Sequence, residues 1–327
     1  MKQPVYAPGQ PGWIRELGRT GLQVSAVCLG GGPLGSMPGL FGRDVTADEG
    51  VATVLAALDS PIRFIDTSNG YSDGESERRI GAALVEAGGV PEGVVIATKV
   101  DPSGRDYSAD RVRASVAESR ERLGIEKLPL VHLHDPESFD FAEMSAPGGP
   151  VDALVQLRDE GQVGAIGLAG GRVQEIAKYL DLGVFDVLLV HNRWTLVDRS
   201  AGALLDEAVR QEMGILNAAV YGGGILAFQA GGPTSYGYRP APPETLQAVE
   251  AMRRVCSDFH TDLGTAALQF SLRDPRIAST VVGMSRPGRV ARTLDLASEP
   301  LPDALWPALE ALVPPAHVWL DAEGADA

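Results

Sequence analysis

From Ser25 onward, short apolar runs alternate with longer stretches in which apolar residues recur every three or four positions. The runs predict strands at Ser25–Gly30, Arg63–Thr67, Val94–Val100, Leu130–Asp135, Val163–Leu168, Phe185–Val190, Gly214–Val220 and Ser279–Gly283. The amphipathic stretches predict helices at Thr46–Leu58, with Thr46 or Asp48 near the cap, then Glu75–Glu86, Ala109–Leu123, Val151–Glu160, Arg172–Leu182 and Gly202–Glu212. Further helices are expected at 244–258, 263–273 and Arg286–Leu296, after a Gly/Pro/Tyr-rich loop at 221–242. Strands and helices alternating at this spacing imply parallel βαβ units, and eight of them close more naturally as an α/β barrel than as an open sheet. Arg15–Val24 reads as a hairpin turning at Gly18 to Gly21. No shift in composition divides residues 1–327, so a single domain is expected, with 1–12 a loose arm and 314–327 a tail, carrying Trp319, that folds over the barrel mouth.

Composition narrows the function classes. A net charge of -15 argues against nucleic acid and anionic membrane as partners, but leaves a small-molecule pocket open. The two cysteines, Cys28 and Cys256, have neither disulfide-framework nor metal-ligand spacing, and no metal is expected. With no apolar signal core and no run long enough to span a bilayer, the expected location is cytoplasmic. The sequence does not specify an oligomeric state. Gly30-Gly-Gly32-Pro-Leu-Gly35 satisfies the G-x-G-x-x-G dinucleotide fingerprint, yet Ser36-Met-Pro-Gly cannot open the helix that this motif requires. The stretch is expected instead to be the first βα loop, where glycine lets a ligand approach the backbone.

Three consecutive predicted strands each carry an ionisable residue near the C-terminal end: Asp66, Lys99 and His134. Tyr71 stands on the loop after the first. Catalytic groups of an α/β barrel occupy this face. Alternation along a strand puts His132 and His134 on one face, but His132 lies deeper and reads as structural. A strand-end Asp–Lys pair, a strand histidine and a loop tyrosine each have ordinary structural explanations; four together at the functional end favour chemistry. Lys99 is expected to lower the pKa of the Tyr71 phenol, Asp66 to keep Lys99 charged, and His134 to bond a carbonyl oxygen or relay a proton.

Ile65-Asp-Thr-Ser-Asn-Gly-Tyr71, Ser76-Glu-Arg-Arg-Ile-Gly81 and the opening Leu17-Gly-Arg-Thr-Gly-Leu-Gln-Val-Ser25 resemble the aldo-keto reductase family from about residue 14 to the last helix. The resemblance implies a (β/α)8 TIM barrel with an N-terminal hairpin and long loops at the C-terminal face. It implies a catalytic tetrad of Asp66, Tyr71, Lys99 and His134, with Tyr71 as general acid, and NAD or NADP across the mouth. Where relatives carry Ser-Asn after the fifth strand this chain has Leu168-Ala-Gly-Gly171, and Ala218 stands where a tyrosine commonly stacks on the nicotinamide. His191 is then the candidate for the carboxamide. Val282-Gly-Met-Ser-Arg-Pro-Gly-Arg-Val-Ala-Arg292 resembles the segment gripping the adenosine end, which implicates Gly283, Ser285, Arg286, Arg289 and Arg292, with Gly32 and Asp66 at the other end. Each arginine also fits a solvated helix face, and NAD is slightly preferred over NADP.

Asn192-Arg-Trp-Thr-Leu-Val-Asp198, Asn217-Ala-Ala-Val-Tyr-Gly-Gly-Gly-Ile-Leu226 and the His-Asp-Pro at 134–136 are similar to the D-threo-aldose (L-fucose) 1-dehydrogenase group. That similarity implies oxidation of an aldose at the anomeric carbon to a lactone. Trp194 and Tyr221 join Tyr71 and His134 as candidate substrate contacts, within a pocket shaped by loops 101–107, 135–149 and 221–242 and the tail. The alternatives are an NADPH-dependent aldehyde or ketone reductase, a pyridoxal-type dehydrogenase, a Schiff-base lyase on Lys99, and a non-enzymatic cofactor-sensing subunit.

Overall fold

A computed structural model describes residues 3–227 and 231–322. Eight strands form a closed barrel: β1 (Val27–Gly30), β2 (Phe64–Asp66), β3 (Val95–Val100), β4 (Leu128–His134), β5 (Val163–Gly170), β6 (Val187–His191), β7 (Gly214–Ala218) and β8 (Ser279–Gly283). Every neighbouring pair is parallel, and β8 closes on β1 through Thr280 opposite Val27. Side-chain alternation separates two apolar layers. Cys28, Phe64, Val95, Ala97, Leu130, Ala165, Val187, Leu189 and Leu216 fill the barrel, while Ile65, Ile96, Val131, Ile166, Leu188, Ile215 and Val282 face outward under the helices. A slip of one residue in any strand would exchange these sets, so burial on both faces holds the register.

The surrounding helices are α1 (Ala47–Leu58), α2 (Glu75–Glu86), α3 (Ala109–Leu123), α4 (Pro150–Asp159), α5 (Val173–Leu180), α6 (Gly202–Arg210), α7 (Pro243–Asp258), α8 (Leu263–Leu272) and α9 (Pro287–Ser298). Thr46 caps α1, its side chain accepting from the Glu49 amide, and Ser108 caps α3 in the same way. No described helix is long and apolar enough to cross a membrane.

The hairpin pairs Ile14–Glu16 with Gln23–Ser25, and Leu17 and Val24 plug the inner layer. Gly18 has φ 54°, and a Cβ there would stand 2.1 Å from the Gly214 amide nitrogen, so only glycine fits. The arm is not loose over its described part: the Tyr6 hydroxyl donates to Gln269 Oε1 at 2.8 Å, and Tyr6 and Trp13 are buried. Its aromatics find an apolar seat that periodicity does not reveal. Short elements also escape the pattern: helical turns at Pro38–Phe41, Phe141–Met144 and Leu305–Glu310, and a hairpin pairing Ser235–Tyr236 with Arg239–Pro240. That hairpin turns through two left-handed residues, Gly237 and Tyr238, at φ 57° and 68°.

The tail supports the mouth loops rather than forming the cavity wall. Leu320 packs against the hairpin cluster, its amide donates to Asp198 Oδ2 at 2.8 Å, and Asp321 pairs with Arg193 at 3.0 Å. Residues 323–327 lie outside the described residues.

Candidate active site

The barrel geometry brings the four sequence-derived residues together. Asp66 ends β2 and Lys99 lies near the end of β3, both pointing inward. The Lys99 ammonium donates to Asp66 Oδ2 at 2.7 Å, to the Thr67 carbonyl at 2.6 Å and to the Tyr71 hydroxyl at 3.3 Å. Both members of the ion pair are almost fully buried, at 1% and 4% side-chain exposure. Burial alone would lower the Lys99 pKa; the Asp66 charge and the Tyr71 phenol reverse this and raise it, so the ammonium persists. His134 ends β4, and its ring meets Tyr71 edge-on at 5.7 Å.

The electrostatic expectation for Tyr71 needs correcting. Burial pushes its phenol up to about 12, and the lowering influence of Lys99 does not overcome it. At neutral pH the phenol is therefore protonated: a donor, and a reluctant base. Desolvation exceeds the ion–dipole gain because the same ammonium is already engaged by Asp66 and the Thr67 carbonyl.

A carboxylate missed at the sequence level stands behind His134. Asp101 Oδ1 lies 2.7 Å from His134 Nδ1, while Asp101 Oδ2 accepts from the Gly70 amide at 2.7 Å and from the Ser68 hydroxyl. Burial would lower the His134 pKa, but the Asp101 charge, then Asp135, raise it overall. Hydrogen bonds and the histidine outweigh burial at Asp101 and hold its carboxyl below the usual range. Asp101 stands one residue beyond the end of β3, where strand alternation no longer assigns a face, so only the fold supplies its partner.

The loop bearing Tyr71 is held from outside. The Asn69 amide donates to the Ser115 carbonyl and to Glu118 of α3, and Arg122 donates to the Asn69 carbonyl at 3.0 Å. On the other side, Ser76 donates to the Gly31 carbonyl and the Gly31 amide donates to Asp66 O. A Cβ on Gly31 would fall 2.8 Å from that oxygen, and one on Gly35 would fall 2.6 Å from Ser72. The glycines of the false fingerprint thus serve close packing, with a 3-10 turn at Gly32–Gly35 in place of a regular helix.

Two cavities account for most candidate residues. One, about 380 Å³, is lined by Asp66, Tyr71, Lys99 and His134 together with Gly32, His191, Ala218 and Gly283, and by Asp135 and Tyr238, which sequence reasoning did not single out. The other, about 410 Å³, is lined by Tyr221, Arg253, Asp262, Arg289 and Arg292. Ser285 and Arg286 line neither; the Ser285 carbonyl accepts from Arg43. Tyr221 belongs to the second cavity rather than beside the tetrad. Trp194 lines neither cavity: it packs against Phe270 at 5.8 Å, with Arg199 and Arg276 over its faces.

The pattern of the aldo/keto reductase family matches residues 26–314. The chain belongs to the aldo/keto reductase family. It is 35% identical to L-galactose dehydrogenase of Arabidopsis thaliana over 88% of each chain. It is 31% identical to pyridoxal 4-dehydrogenase of Microbacterium luteolum, covering 90% of this chain and 96% of that one. It is likewise 31% identical to D-threo-aldose 1-dehydrogenase of a Pseudomonas species, covering 88% and 93%. A holo aldo-keto reductase from Bacillus halodurans shares the fold at TM-score 0.78 and 20% identity over 96% and 99% of the chains. The chain is thus an NAD(P)-dependent oxidoreductase of this family.

The residues present fit such a dinucleotide. Gly32 and Gly283 leave the floor of the first cavity open, arginines supply positive charge around the second, and the buried Tyr221 hydroxyl has no partner among the described residues. Arg289, Arg292 and Tyr221 would hold the anionic, adenosine end, leaving the nicotinamide beside the tetrad.

Proposed function

We propose that this oxidoreductase oxidises an aldose of the D-threo or L-galactose type at its anomeric carbon, yielding a lactone. The observation that carries this reading is the rim of the first cavity, where Asp135, His191 and Tyr238 add hydrogen-bonding groups to the tetrad, as a polyhydroxylated substrate requires. The relatives named for L-galactose and D-threo-aldose support the same substrate class.

NAD(P), when bound, supplies the hydride acceptor in oxidation and the hydride in reduction. Within the site, Tyr71 and His134 flank the position of the reacting oxygen. Lys99 orients the Tyr71 hydroxyl and places a fixed positive charge beside it, held in turn by Asp66. In carbonyl reduction the protonated phenol is the acid that completes the new hydroxyl. His191 presents Nε2 as a donor, because Asn192 lies 3.1 Å from its Nδ1, and is our candidate for the carboxamide that Ala169 and Gly170 cannot hold.

NAD is the proposed carrier. Asp262 pairs with Arg292 at 3.3 Å, so one arginine of the second cavity is already neutralised, which disfavours an extra phosphate. Asp262→Ala should move the ratio of activities toward NADP+. A second reading, a pyridoxal-type dehydrogenase, is favoured by the Pro33 and Met37 wall opposite the polar rim and by the pyridoxal 4-dehydrogenase relative. Initial rates with L-fucose, L-galactose, D-arabinose and pyridoxal, each with NAD+ and NADP+, decide between them. Reduction of NAD+ by sugars alone upholds the first reading, and turnover of pyridoxal alone replaces it.

A further inference from the structure

We propose that Asp135 is a specificity-determining residue whose Oδ2 accepts the hydroxyl on the carbon next to the reacting one, so that the site selects substrates carrying this hydroxyl over those that lack it. The inference rests on the aldose reading above and leaves the acid–base chemistry with Tyr71.

Among the described residues, two carboxylates line the first cavity. Asp66 is engaged by Lys99 at 2.7 Å and is almost inaccessible, whereas the Asp135 side chain is 52% exposed. Glu137, two positions further on, does not line this cavity; its Oε1 accepts from the amides of Gly171 and Arg172. Burial would raise the Asp135 pKa, but the His134 charge and then His191 hold it well below the usual carboxylate range. Asp135 is therefore an acceptor only, and a substrate hydroxyl is the kind of group it can take.

The distances say which hydroxyl. Asp101 occupies His134 Nδ1 at 2.7 Å, and the Tyr71 loop can approach that carboxylate because residue 70 is glycine: a Cβ there would stand 2.9 Å from the carboxyl carbon. His134 is left with Nε2 for the reacting oxygen. Asp135 Oδ2 lies 3.9 Å from this nitrogen, and Oδ1 lies 3.8 Å from His191 Nε2. Both separations exceed a direct hydrogen bond, whereas two gauche vicinal oxygens lie about one hydrogen-bond length apart. With the first oxygen against Tyr71 and His134 Nε2, the second comes within reach of Asp135 Oδ2.

The backbone holds the carboxylate in that place. Asp135 sits in the left-handed region at φ 43° and ψ 45°, which aspartate adopts more readily than most residues. Its amide donates to the Ala169 carbonyl at 2.8 Å, and the buried Pro136 that follows is anchored by the Tyr179 hydroxyl at 3.2 Å. Much of the remaining wall is apolar, with Pro33, Met37, Leu189 and Ala218. A substrate without the neighbouring hydroxyl would leave the charged oxygen dehydrated and unpaired, which is the strongest form of discrimination a hydrogen-bonding site has.

D-Arabinose and 2-deoxy-D-ribose differ only in the hydroxyl at C2, and their NAD+-linked oxidation supplies the test. Wild type should favour D-arabinose in kcat/KM by about 10- to 100-fold. Asp135→Gly removes the carboxylate and suits the left-handed backbone; the ratio should fall toward one, mainly through loss on D-arabinose, with circular dichroism unchanged. Asp135→Asn, which keeps an uncharged acceptor, should give an intermediate ratio. Equal rates on the two sugars in wild type, or an undiminished ratio in Asp135→Gly, overturn the proposal. Equal losses on both sugars overturn it too, since Asp135 would then act only through the histidines beside it. If wild type oxidises neither sugar, the aldose reading fails. Reduction of L-lactaldehyde against propionaldehyde, with NADH and NADPH, then carries the test with the same expected ratios, and equal rates there overturn the proposal.

Discussion

At the scale of single residues, the site depends on charges placed where they would be costly alone. Lys99 and Asp66 are nearly inaccessible and mutually dependent. Lys99→Met leaves a buried, unpaired carboxylate and should cost about 3–5 kcal/mol in urea unfolding. Adding Asp66→Asn should recover most of that stability and none of the turnover. Recovery of both would show the pair to be a structural feature only. Gly70→Ala forces a methyl against Asp101 and should lower turnover by about tenfold or more through misplacement of His134, with circular dichroism unchanged; wild-type rates in this variant would contradict the close approach. Asp66, Tyr71, Lys99 and His134 were readable because each is a polar residue in or just beyond an apolar run. Asp101 was not, since a carboxylate opening a loop looks like any solvated residue until the fold supplies its partner.

Elements position these residues from a distance. Helix α3 anchors the Tyr71 loop through Ser115, Glu118 and Arg122, and the Arg111 hydrogen bond outweighs burial to hold Glu118 down at about 2. Ser108→Ala removes the α3 cap and should cost about 1 kcal/mol in denaturant unfolding while leaving rates unchanged; a change in rate would mean that cap and loop are coupled. On the opposite side of the mouth, Leu320 of the tail fills the space against Gly237 of the short hairpin that carries Tyr238. Leu320→Ala should destabilise the protein by about 2–4 kcal/mol and raise KM more than it lowers kcat, because Tyr238 lines the cavity without belonging to the tetrad. Helices α2 and α3 match the sequence expectation to the residue, whereas this hairpin escaped it: its strands are two residues long, too short for alternation to register.

For the whole molecule, the barrel sets which face is wet and which side chains lose water. Six of the seven tyrosines sit where burial raises the phenol pKa: Tyr6, Tyr71, Tyr107, Tyr179, Tyr221 and Tyr236, while Tyr238 is exposed. A raised folded pKa contributes stability that is complete below the unfolded value, about 10, and is lost as pH climbs through the folded one. Between about pH 10 and 12 the protein should therefore lose stability, with tyrosinate absorbance and loss of helical circular dichroism rising together. Ionisation of these six near pH 10 in a still-folded protein would contradict their burial.

The sequence by itself determined the eight-fold alternation, the four candidate residues at the barrel mouth and the family, because all of these are written in local periodicity and short motifs. The tertiary structure alone decided the second tier of the site. It brought Asp101 to His134, set Tyr221 in the second cavity, packed Trp194 against Phe270 and let burial outweigh Lys99 at the Tyr71 phenol. These outcomes depend on which distant segments meet and how much water remains between them, and a balance of desolvation against a nearby charge has no signature along the chain.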